Sequence, residues 1–452
     1  MRPPSSPRGA AMLLAIVAIA ILSALTADLA YETQVRLRIA TNARDELRAE
    51  ALAQSAVTVS RLVLGFQYQL DQVMGAGQTA GPQATPSAGG QAPAAPSLAS
   101  ALPHPQIWRI VPVSSALTQA LFGGPAGEQT APPGAPGKGA GPRGDQPALA
   151  AASYGDFEGG FSARIEDEAQ KVNVQLDSFA TSGILSAQVD AFLRMVCDSR
   201  WDPLFDRSDA DGQRYSRSDV LSRMKDWVDP RPSVASSSAV SFPGGNCSPL
   251  VPSNPFEDGF SDKNYPYDRG PDRYRTKNAR MDSLDELFLV AGVSDAFMAA
   301  FQDQLTVYLP INGTMNVNAD DLRTQVRIAL QWVDPVSYLQ LADPTVQQKL
   351  HERLALYSSN GALGITFATF QQALQDLNLK LRSDLALQQK AFTDRSLVFQ
   401  VRALGAAGDV THETLAVVSF DPKHAAPADR PVQTLAGTGT LNLGQLIHWR
   451  EE

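Results

Sequence analysis

The chain carries one long apolar run, RGAAMLLAIVAIAILSALTAD at residues 8–28. No charged side chain interrupts it between Arg8 and Asp28. As an α-helix, residues 10–27 span about 27 Å, which is close to the thickness of the hydrocarbon core of a bilayer. Arg2 and Arg8 precede the run and predict a cytoplasmic N-terminus under the positive-inside rule. No second apolar run of this length occurs, so we expect the chain to cross a membrane once.

The junction between the basic residues and the apolar run predicts proteolytic processing. A secretory signal is cut after its apolar segment, next to small residues. Here a basic stretch that ends in Gly9 lies before the segment, as in type IV prepilins, in which a short leader is removed and the apolar helix is kept. We therefore expect a leader over residues 1–9 and cleavage between Gly9 and Ala10 by a prepilin peptidase. The alternative is an uncleaved N-terminal anchor.

The composition fits a protein with sizeable cores and disfavours a nucleic-acid binder. The chain has 452 residues, 44% hydrophobic and 19% charged, with a net charge of −9 and no block of Lys and Arg that could neutralise phosphates. Its two cysteines, Cys197 and Cys247, follow the anchor. In an oxidising compartment we expect them to form a disulfide, and two buried free thiols are the alternative.

The character of the sequence changes along the chain and predicts an α+β fold in which a long N-terminal helix is followed by strands, helices and strands again. Stretches rich in Ala, Gly, Pro and Ser interrupt the first set of strands. The predicted segments are the leader (1–9), the transmembrane part of the N-terminal helix (10–30), its continuation outside the membrane (31–75), strands with low-complexity loops at 76–105 and 123–149 (76–165), a helical insertion domain (166–395) and C-terminal strands (396–452).

Residue patterns predict the elements within these segments. Strands are predicted at 107–113, 157–165, 396–403 and 412–420, with a turn at 405–409 and a weaker candidate at 434–446. Helices are predicted at 187–196, 218–228, 283–290, 294–305, 319–333, 344–357 and 367–387. Two of them end in Trp-Val-Asp-Pro, at 227–230 and 332–335, and Val-Asn-Val at 172–174 is echoed by Met-Asn-Val-Asn at 315–318. These echoes indicate either duplicated helical modules or coincidence.

The leader and anchor, together with several later segments, resemble the general secretion pathway protein K family, the minor pseudopilins of type II secretion. The segments that carry the resemblance are ADLAYETQ (27–34), DEAQKVNV (167–174), DWVD (226–229), YRTKNA (274–279), SLDEL (283–287) and MNVNADD (315–321). Both low-complexity insertions and the loop at 233–256 are longer than the family's loops, so the resemblance does not cover them.

The resemblance implies a pseudopilin fold, in which a long N-terminal helix packs on an antiparallel sheet, with a large all-α insertion of SAM-like helical modules. It also implies a place at the tip of the pseudopilus, where the subunit caps the filament and helps to initiate its assembly for protein export. The implied partners are other minor and major pseudopilins, the prepilin peptidase and a secreted substrate protein. The implied location is the inner membrane, with the head in the periplasm and a methylated mature N-terminus.

Leu14 is the fifth residue after the expected cleavage site, where other pilins and pseudopilins have Glu. That Glu meets the charged N-terminal amine of a neighbouring subunit. A lone carboxylate in hydrocarbon is costly, so a subunit with no neighbour above it is more stable without one. Leu14 therefore fits the tip position that the resemblance implies. The alternative is that Leu14 only improves the anchor.

Acidic residues crowd the segment 257–286 and make it a candidate calcium loop. Carboxylates that converge repel one another unless a cation binds them, and hard oxygen ligands favour calcium. The resemblance adds that protein K binds calcium in the loop region of its helical insertion. The candidate ligands are Glu257, Asp258, Asp262, Asp268, Asp272 and Asn278. A solvated acidic loop is the alternative.

No motif in the sequence predicts catalysis, so we expect a structural protein and not an enzyme. The five histidines lack metal-ligand spacing and no nucleophile motif accompanies them. The alternative function is a nucleic-acid-binding or DNA-uptake module, because residues 283–293 are faintly similar to a helix-hairpin-helix. The acidic surroundings disfavour nucleic acid as a partner.

Overall fold

The long N-terminal helix organises the structure. In this computed structural model, the described residues are 8–76, 104–117, 152–154, 157–176, 182–205, 208, 212–231, 235–239, 254–268, 273–383, 389–424, 434–435 and 441–451. Most of the two low-complexity stretches therefore lies outside the described residues.

The helices of four residues or more are α1 (Arg8–Ala76), α2 (Ile107–Ile110), α3 (Ser182–Val196), α4 (Asp202–Phe205), α5 (Arg217–Val228), α6 (Asp295–Phe301), α7 (Leu322–Trp332), α8 (Tyr338–Leu341), α9 (Pro344–Tyr357) and α10 (Phe367–Asp376). Short 3-10 turns lie at Glu168–Gln170, Ser199–Trp201, Leu284–Leu289, Gln302–Gln304, Pro335–Ser337, Gln389–Ala391 and Pro422–His424.

The strands are β1 (His104–Pro105), β2 (Val113–Ser114), β3 (Ala152–Tyr154), β4 (Phe157–Asp167), β5 (Val172–Asn173), β6 (Ala235–Ala239), β7 (Phe256–Asp262), β8 (Leu305–Thr306), β9 (Met315–Asn316), β10 (Leu363–Gly364), β11 (Phe392–Thr393), β12 (Val398–Ala407), β13 (Val410–Ser419), β14 (Thr434–Leu435), β15 (Leu441–Asn442) and β16 (Gln445–Glu451).

An antiparallel sheet receives the second half of α1. Its strand order is β16-β13-β12-β4-β2, with β3 also paired to β4. The inner face of this sheet and the buried side of α1, from Ala49 to Leu64, form one hydrophobic cluster. Helix α1 has 69 residues and is about 100 Å long, so much of it extends beyond the sheet. A long helix on an antiparallel sheet, with further helices beside it, confirms the predicted α+β class.

A second hydrophobic cluster lies among the helices between β4 and β12, and its largest fully buried side chains include Trp332, Phe192, Phe297 and Phe370. This part also contains the β6–β7 hairpin and two short parallel strand pairs, β5–β8 and β9–β11. These strands are an addition to the all-α insertion that the resemblance implies. The domain boundaries given above stay a prediction.

The two sequence echoes occupy equivalent places in two modules. Asn173 Oδ1 accepts from the Gln175 backbone N–H, and Asn316 Oδ1 accepts from the Asn318 N–H, each at 2.9 Å. The two strands pair in parallel with strands that end in Thr306 and Thr393. Buried Trp332 ends α7, the first helix after β9, whereas buried Trp227 is the penultimate residue of α5, the third helix after β5. The two echoes therefore share the local hydrogen bonding at their strands but not the order of the helices that follow, and duplicated modules stay a prediction.

The amide side chains after the two strands make the same hydrogen bonds. Gln175 Nε2 donates to the carbonyls of Met281 at 2.6 Å and Val307 at 3.0 Å, and its Oε1 accepts from Met281 N. Asn318 Nδ2 donates to the carbonyls of Ile365 at 3.2 Å and Asp394 at 2.9 Å, and its Oδ1 accepts from Ile365 N. Each amide thus joins the start of its module to a segment near its end.

Some predicted elements differ from the structure. Of the strand predicted at 107–113, residues 107–110 form the short helix α2 and only Val113 belongs to a strand, β2. Gln67 of α1 holds the start of this segment, because its side chain donates to Pro105 O and accepts from Ile107 N. The helix predicted at 294–305 ends at Phe301, and Leu305 belongs to β8. The helix predicted at 367–387 ends at Asp376, two residues before Asn378, which has a φ of 56°. Pairing with neighbouring segments overrides local propensity at these positions.

Candidate functional site

The first part of α1 is exposed on all sides. Helix α1 is long and apolar enough to cross a membrane, and none of its most apolar window is buried against the rest of the chain. Side chains at successive positions, such as Met12, Leu13 and Leu14, are 66–71% exposed, so no single face of this segment is covered by the head. An apolar surface of this extent needs lipid or other apolar helices around it.

The predicted processing and tip positions lie in this exposed part. Gly9 and Ala10 are in the first turns of α1, but their side chains lie outside the described residues, so cleavage between them stays a prediction. Leu14 is 71% exposed. No described part of the chain therefore requires an apolar residue at position 14, and the reason for Leu14 has to be sought in its surroundings.

The second half of α1 is fixed to the head by polar contacts as well as by apolar packing. Arg61 is buried, and its guanidinium donates to the carbonyls of Leu443 at 3.1 Å and Gly444 at 3.0 Å. Burial lowers the pKa of Arg61. Farther along, Arg395 donates to the carbonyl of Asp71 at 2.9 Å. The end of the helix is thereby joined to both the C-terminal segment and the start of β12.

A buried charged junction connects the sheet to the helical part. Glu168 is fully buried and forms an ion pair with Lys171 at 2.5 Å. Lys171 also donates to Gln400 of β12 at 2.7 Å, while Thr306 of β8 donates to Glu168. The sequence resemblance includes this segment, but residue patterns alone did not indicate its role. The sequence feature that could have indicated this junction is the acidic run at 166–168, directly after the alternating segment 157–165.

Asp167 is the second buried acid of this junction. Its carboxylate accepts hydrogen bonds from Ala169 N and Asn316 Nδ2, both at 2.8 Å, and from the Ser396 hydroxyl. Burial raises the pKa of Asp167, and the hydrogen bonds from Ser396 and Asn316 offset this in part. Asp167 therefore ties the end of β4 to β9 of the second module and to the start of β12.

The structure separates the described members of the candidate calcium set. Glu257 and Asp258 are consecutive on strand β7, so their side chains point to opposite faces. Asp258 lies 3.7 Å from Arg231, and Asp268 lies 3.9 Å from Arg273. Both are therefore paired with cations of the chain itself.

The other described candidate ligands, Asp262 and Asn278, do not form a shell of oxygen ligands either. Asp262 accepts from the backbone and side chain of Asn264. Asn278 donates to Thr276 O at 3.0 Å and has a left-handed φ of 54°. Within the described part of the chain, no three His, Cys, Asp or Glu side chains are grouped as metal ligands would be. Asp272 lies outside the described residues, and calcium binding stays a prediction.

The cysteines and histidines contribute no further site in the described part of the chain. Cys197 follows α3 and packs against the helical cluster, and no described cysteine is free. Cys247 lies outside the described residues, so the pairing of Cys197 with Cys247 stays a prediction. His351 bonds Gln325 at 2.9 Å, His424 bonds Ser419 at 2.8 Å and His448 stacks on Tyr308. Each of these three histidines therefore has a packing role.

Comparison with solved structures gives a likeness of low similarity. No protein-family model matches the chain, and no curated protein matches it. Among solved structures, the chain is similar to a chain of the GspK-GspI-GspJ complex from the enterotoxigenic Escherichia coli Type 2 Secretion System. The sequence identity is 12% and the TM-score is 0.34, over 62% of this chain and 80% of that chain.

Proposed function

We propose that this protein is a minor pseudopilin at the tip of a type II secretion pseudopilus, where it caps the filament and helps to initiate its assembly for protein export across the outer membrane. One observation carries the proposal. A single helix is uncharged over residues 10–27, exposed over residues 12–27 and buried on an antiparallel sheet from Ala49 onward. Such a helix suits lateral packing among other helices in a membrane or a filament core.

Leu14 supports the tip position by its chemistry. A carboxylate at the centre of a bilayer costs about 3 kcal/mol by insertion scales unless a cation pairs with it. A subunit within a stack has that cation in the N-terminal amine of its neighbour, and a subunit at the tip does not. The side chain at position 14 is apolar and is 71% exposed with respect to the described residues, so it fits a subunit with no neighbour above.

The proposal specifies location and partners. The anchor lies in the inner membrane with its N-terminus in the cytoplasm, and the head lies in the periplasm. Other minor and major pseudopilins are the partners of the exposed part of α1, and prepilin peptidase acts between Gly9 and Ala10 and leaves a methylated N-terminus. A secreted substrate would meet the head.

The first experiment determines the mature N-terminus. The full chain is produced together with a prepilin peptidase, and the intact protein is analysed by mass spectrometry. We expect the mature chain to start at a methylated Ala10. Gly9→Val is expected to keep its leader, because a bulky side chain would stand at the cleaved bond. A wild-type chain that still carries Met1 contradicts the proposal.

The second experiment locates the protein in assembled filaments. Gold labelling of the head, followed by electron microscopy, should find one label at one end of each filament. Labels distributed along the shaft would show a subunit that joins the stack and would contradict the tip position.

Calcium binding by the acidic segment belongs to the proposal as a separate part. Calorimetric titration of the full chain in detergent with calcium should give heat that is reduced in Asp258→Asn and in Asp262→Asn. Glu352→Gln, on the exposed side of α9, should titrate like the wild type. Absence of heat in the wild type would remove calcium from the proposal without affecting the pseudopilin role.

A further inference from the structure

A cleft of about 810 Å³ opens between the outer face of the sheet and helix α7. Residues of β4, β12 and α7 line it, together with Trp108 and the turn that contains Asp303. Its volume falls within the range of sites that hold small molecules or a few residues of a peptide. The proposed pseudopilin role assigns nothing to this cleft.

Arginines are the conspicuous residues of the cleft. Arg164 and Arg402 stand directly opposite one another on β4 and β12, an arrangement that is unfavourable unless anions lie nearby. Arg323 and Arg327 reach the cleft from the first two turns of α7. Four guanidinium groups therefore surround one opening.

Arg327 is the group whose charge is not compensated. It is only 6% exposed, and its Nη2 donates to Gln170 O at 3.1 Å and to Thr324 Oγ1 at 3.2 Å. Its Nε has no hydrogen-bond partner, and no carboxylate of the described residues forms an ion pair with it. Burial lowers the pKa of Arg327 to about 10, against a partial opposing effect of Asp321. Buried charges are normally paired, so we expect the Arg327 guanidinium to bind an anion that the described residues do not supply.

The acids of the cleft are mostly committed to other groups. Asp303 pairs with Arg402 at 3.3 Å, Glu166 pairs with Arg164 at 3.2 Å, and Asp320 pairs with Arg109. Asp321 accepts from Thr324 N at 2.9 Å as the N-cap of α7. Glu413 also lines the cleft but does not pair with Arg327. Asp167, which also lines the cleft, accepts hydrogen bonds from Ala169, Asn316 and Ser396, and Lys171 pairs with Glu168. Six carboxylates and five cations therefore line the cleft, and Arg327 is the buried cation among them that has no ion pair within the described residues.

We propose that this cleft binds a carboxylate of an acidic, extended peptide segment from a partner protein, with the carboxylate on Arg327 and the exposed Arg323 beside it. The volume of the cleft suits a few peptide residues, and its paired arginines and acids offer hydrogen bonds to a peptide backbone. The shared chemistry is an anion, so inorganic phosphate is the simpler occupant that the test distinguishes. The proposal does not depend on the pseudopilin role.

The test is calorimetric titration of the full chain in detergent at low salt, with an N-acetylated tetra-aspartate peptide and, separately, with inorganic phosphate. The net charge of the chain is −9, so nonspecific attraction works against both anions. We expect the peptide to bind and to change the fluorescence of Trp108. Arg327→Gln and Arg323→Gln should each weaken peptide binding about tenfold, which corresponds to about 1.4 kcal/mol.

A matched control and a foldable variant keep the test decisive. Arg353→Gln, which removes an arginine that lies 3.9 Å from Asp376 outside the cleft, should bind the peptide as the wild type does. If Arg327→Gln fails to fold by circular dichroism, the exposed Arg323→Gln carries the test. No peptide heat in the wild type, equal weakening by Arg353→Gln, or binding of phosphate without the peptide would each overturn the proposal.

Discussion

Gly405 of β12 lies against the backbone of Ala49 in α1 so closely that an added Cβ would stand 2.0 Å from the Ala49 carbonyl oxygen. The same added atom would be 2.6 Å from Ala53 N. Gly159 of β4 has a comparable contact, at 2.6 Å from Leu52 Cδ1. Because Gly405 and Gly159 have no side chain, the helix can lie this close to the sheet.

Replacement of Gly405 by Ala should separate the helix from the sheet. Overpacking of this kind costs about 1–3 kcal/mol, and backbone atoms on the helix cannot move aside as a side chain could. We expect the free energy of unfolding of Gly405→Ala, measured by chemical denaturation in detergent, to fall by at least about 2 kcal/mol. Gly183→Ala in α3 is the matched control, since nothing lies within 4 Å of its added Cβ. Equal stability of the two variants would show that the helix is free to shift.

The two modules should respond alike to loss of their amides. Gln175→Leu and Asn318→Leu each leave a backbone N–H and two carbonyls without partners, and a buried unpaired group costs about 1–3 kcal/mol. We expect both variants to lose about 3 kcal/mol of unfolding free energy. Gln340→Leu, which removes one exposed hydrogen bond to Leu377 O, should lose less than about 1 kcal/mol. A large loss in only one module would mean that the modules are not equivalent.

The buried ion pair of Glu168 and Lys171 should be sensitive to removal of one partner. Glu168→Gln leaves the Lys171 ammonium with Gln400 at 2.7 Å and with Glu166, at 3.8 Å, as its remaining carboxylate, and breaking a buried pair costs about 3–5 kcal/mol. The double variant Glu168→Gln/Lys171→Met should be more stable than the sum of the single changes predicts. Arg353→Gln, at an exposed pair, should change stability by less than about 1 kcal/mol. Additive single changes would contradict a coupled pair.

Stability should fall as pH decreases below about 6.5 because one buried histidine, His104, and two half-buried ones, His424 and His448, resist protonation in the folded chain. Burial lowers the pKa of His104, His424 and His448 below 6.5. The unfolded chain therefore takes up protons at a higher pH than the folded chain does. Stability from these groups is present above the unfolded pKa and is lost as pH falls toward the folded pKa, by at most about 1.4 kcal/mol per group and pH unit.

His104 provides the variant that isolates this effect. Asp71, Asp394 and Arg395 face it; the two acids offset the effect of burial in part, and Arg395 adds to that effect. Denaturation at pH 7.5 and 5.5 should show a smaller loss of stability for His104→Gln than for the wild type. Burial raises the pKa of Asp71, which acts in the opposite direction, so the wild type and the variant are compared at each pH. Equal losses would exclude His104 as a source of the pH dependence.

Leu14→Glu should disturb placement at the tip. An unpaired carboxylate in the apolar part of α1 costs about 3 kcal/mol at the centre of a bilayer, and a neighbour's N-terminal amine would relieve that cost within the stack. We expect reduced secretion of a reporter substrate or head labels that appear along the shaft. Leu14→Ile keeps the apolar character and should behave as the wild type. Unchanged secretion and an unchanged tip position in Leu14→Glu would remove the argument from this residue.

Local signals predicted several helices to within a residue or two. Helix α9 begins at Pro344, as predicted, because Asp343 caps it and Pro fits the first helical turn. Helix α5 begins after Ser216, which forms a capping box with Asp219. The β12–β13 hairpin follows from two alternating runs joined at Gly408, whose φ is +58°.

Contacts distant in sequence explain what the sequence did not predict. The short helix α2 depends on Gln67, about 40 residues earlier, and β5 depends on β8 near Leu305. Arg327 has an ordinary amphipathic-helix pattern around it, and only the position of the sheet shows that its guanidinium is buried beside a cleft. Residue type alone likewise placed Asp258 and Asp262 in one candidate set, whereas both lie on strand β7, where four residues of extended chain hold them about 13 Å apart.

The unbroken course of α1 from Asp28 to Ala49 acts as a rigid spacer of about 30 Å between the apolar segment and the sheet. One inserted residue in this spacer would raise the head by about 1.5 Å and rotate it by about 100° about the helix axis. Arg61 and Gly405 fix the orientation of the head about the helix axis. Such an insertion would therefore rotate every surface of the head, including the cleft that Arg327 lines, relative to the apolar segment.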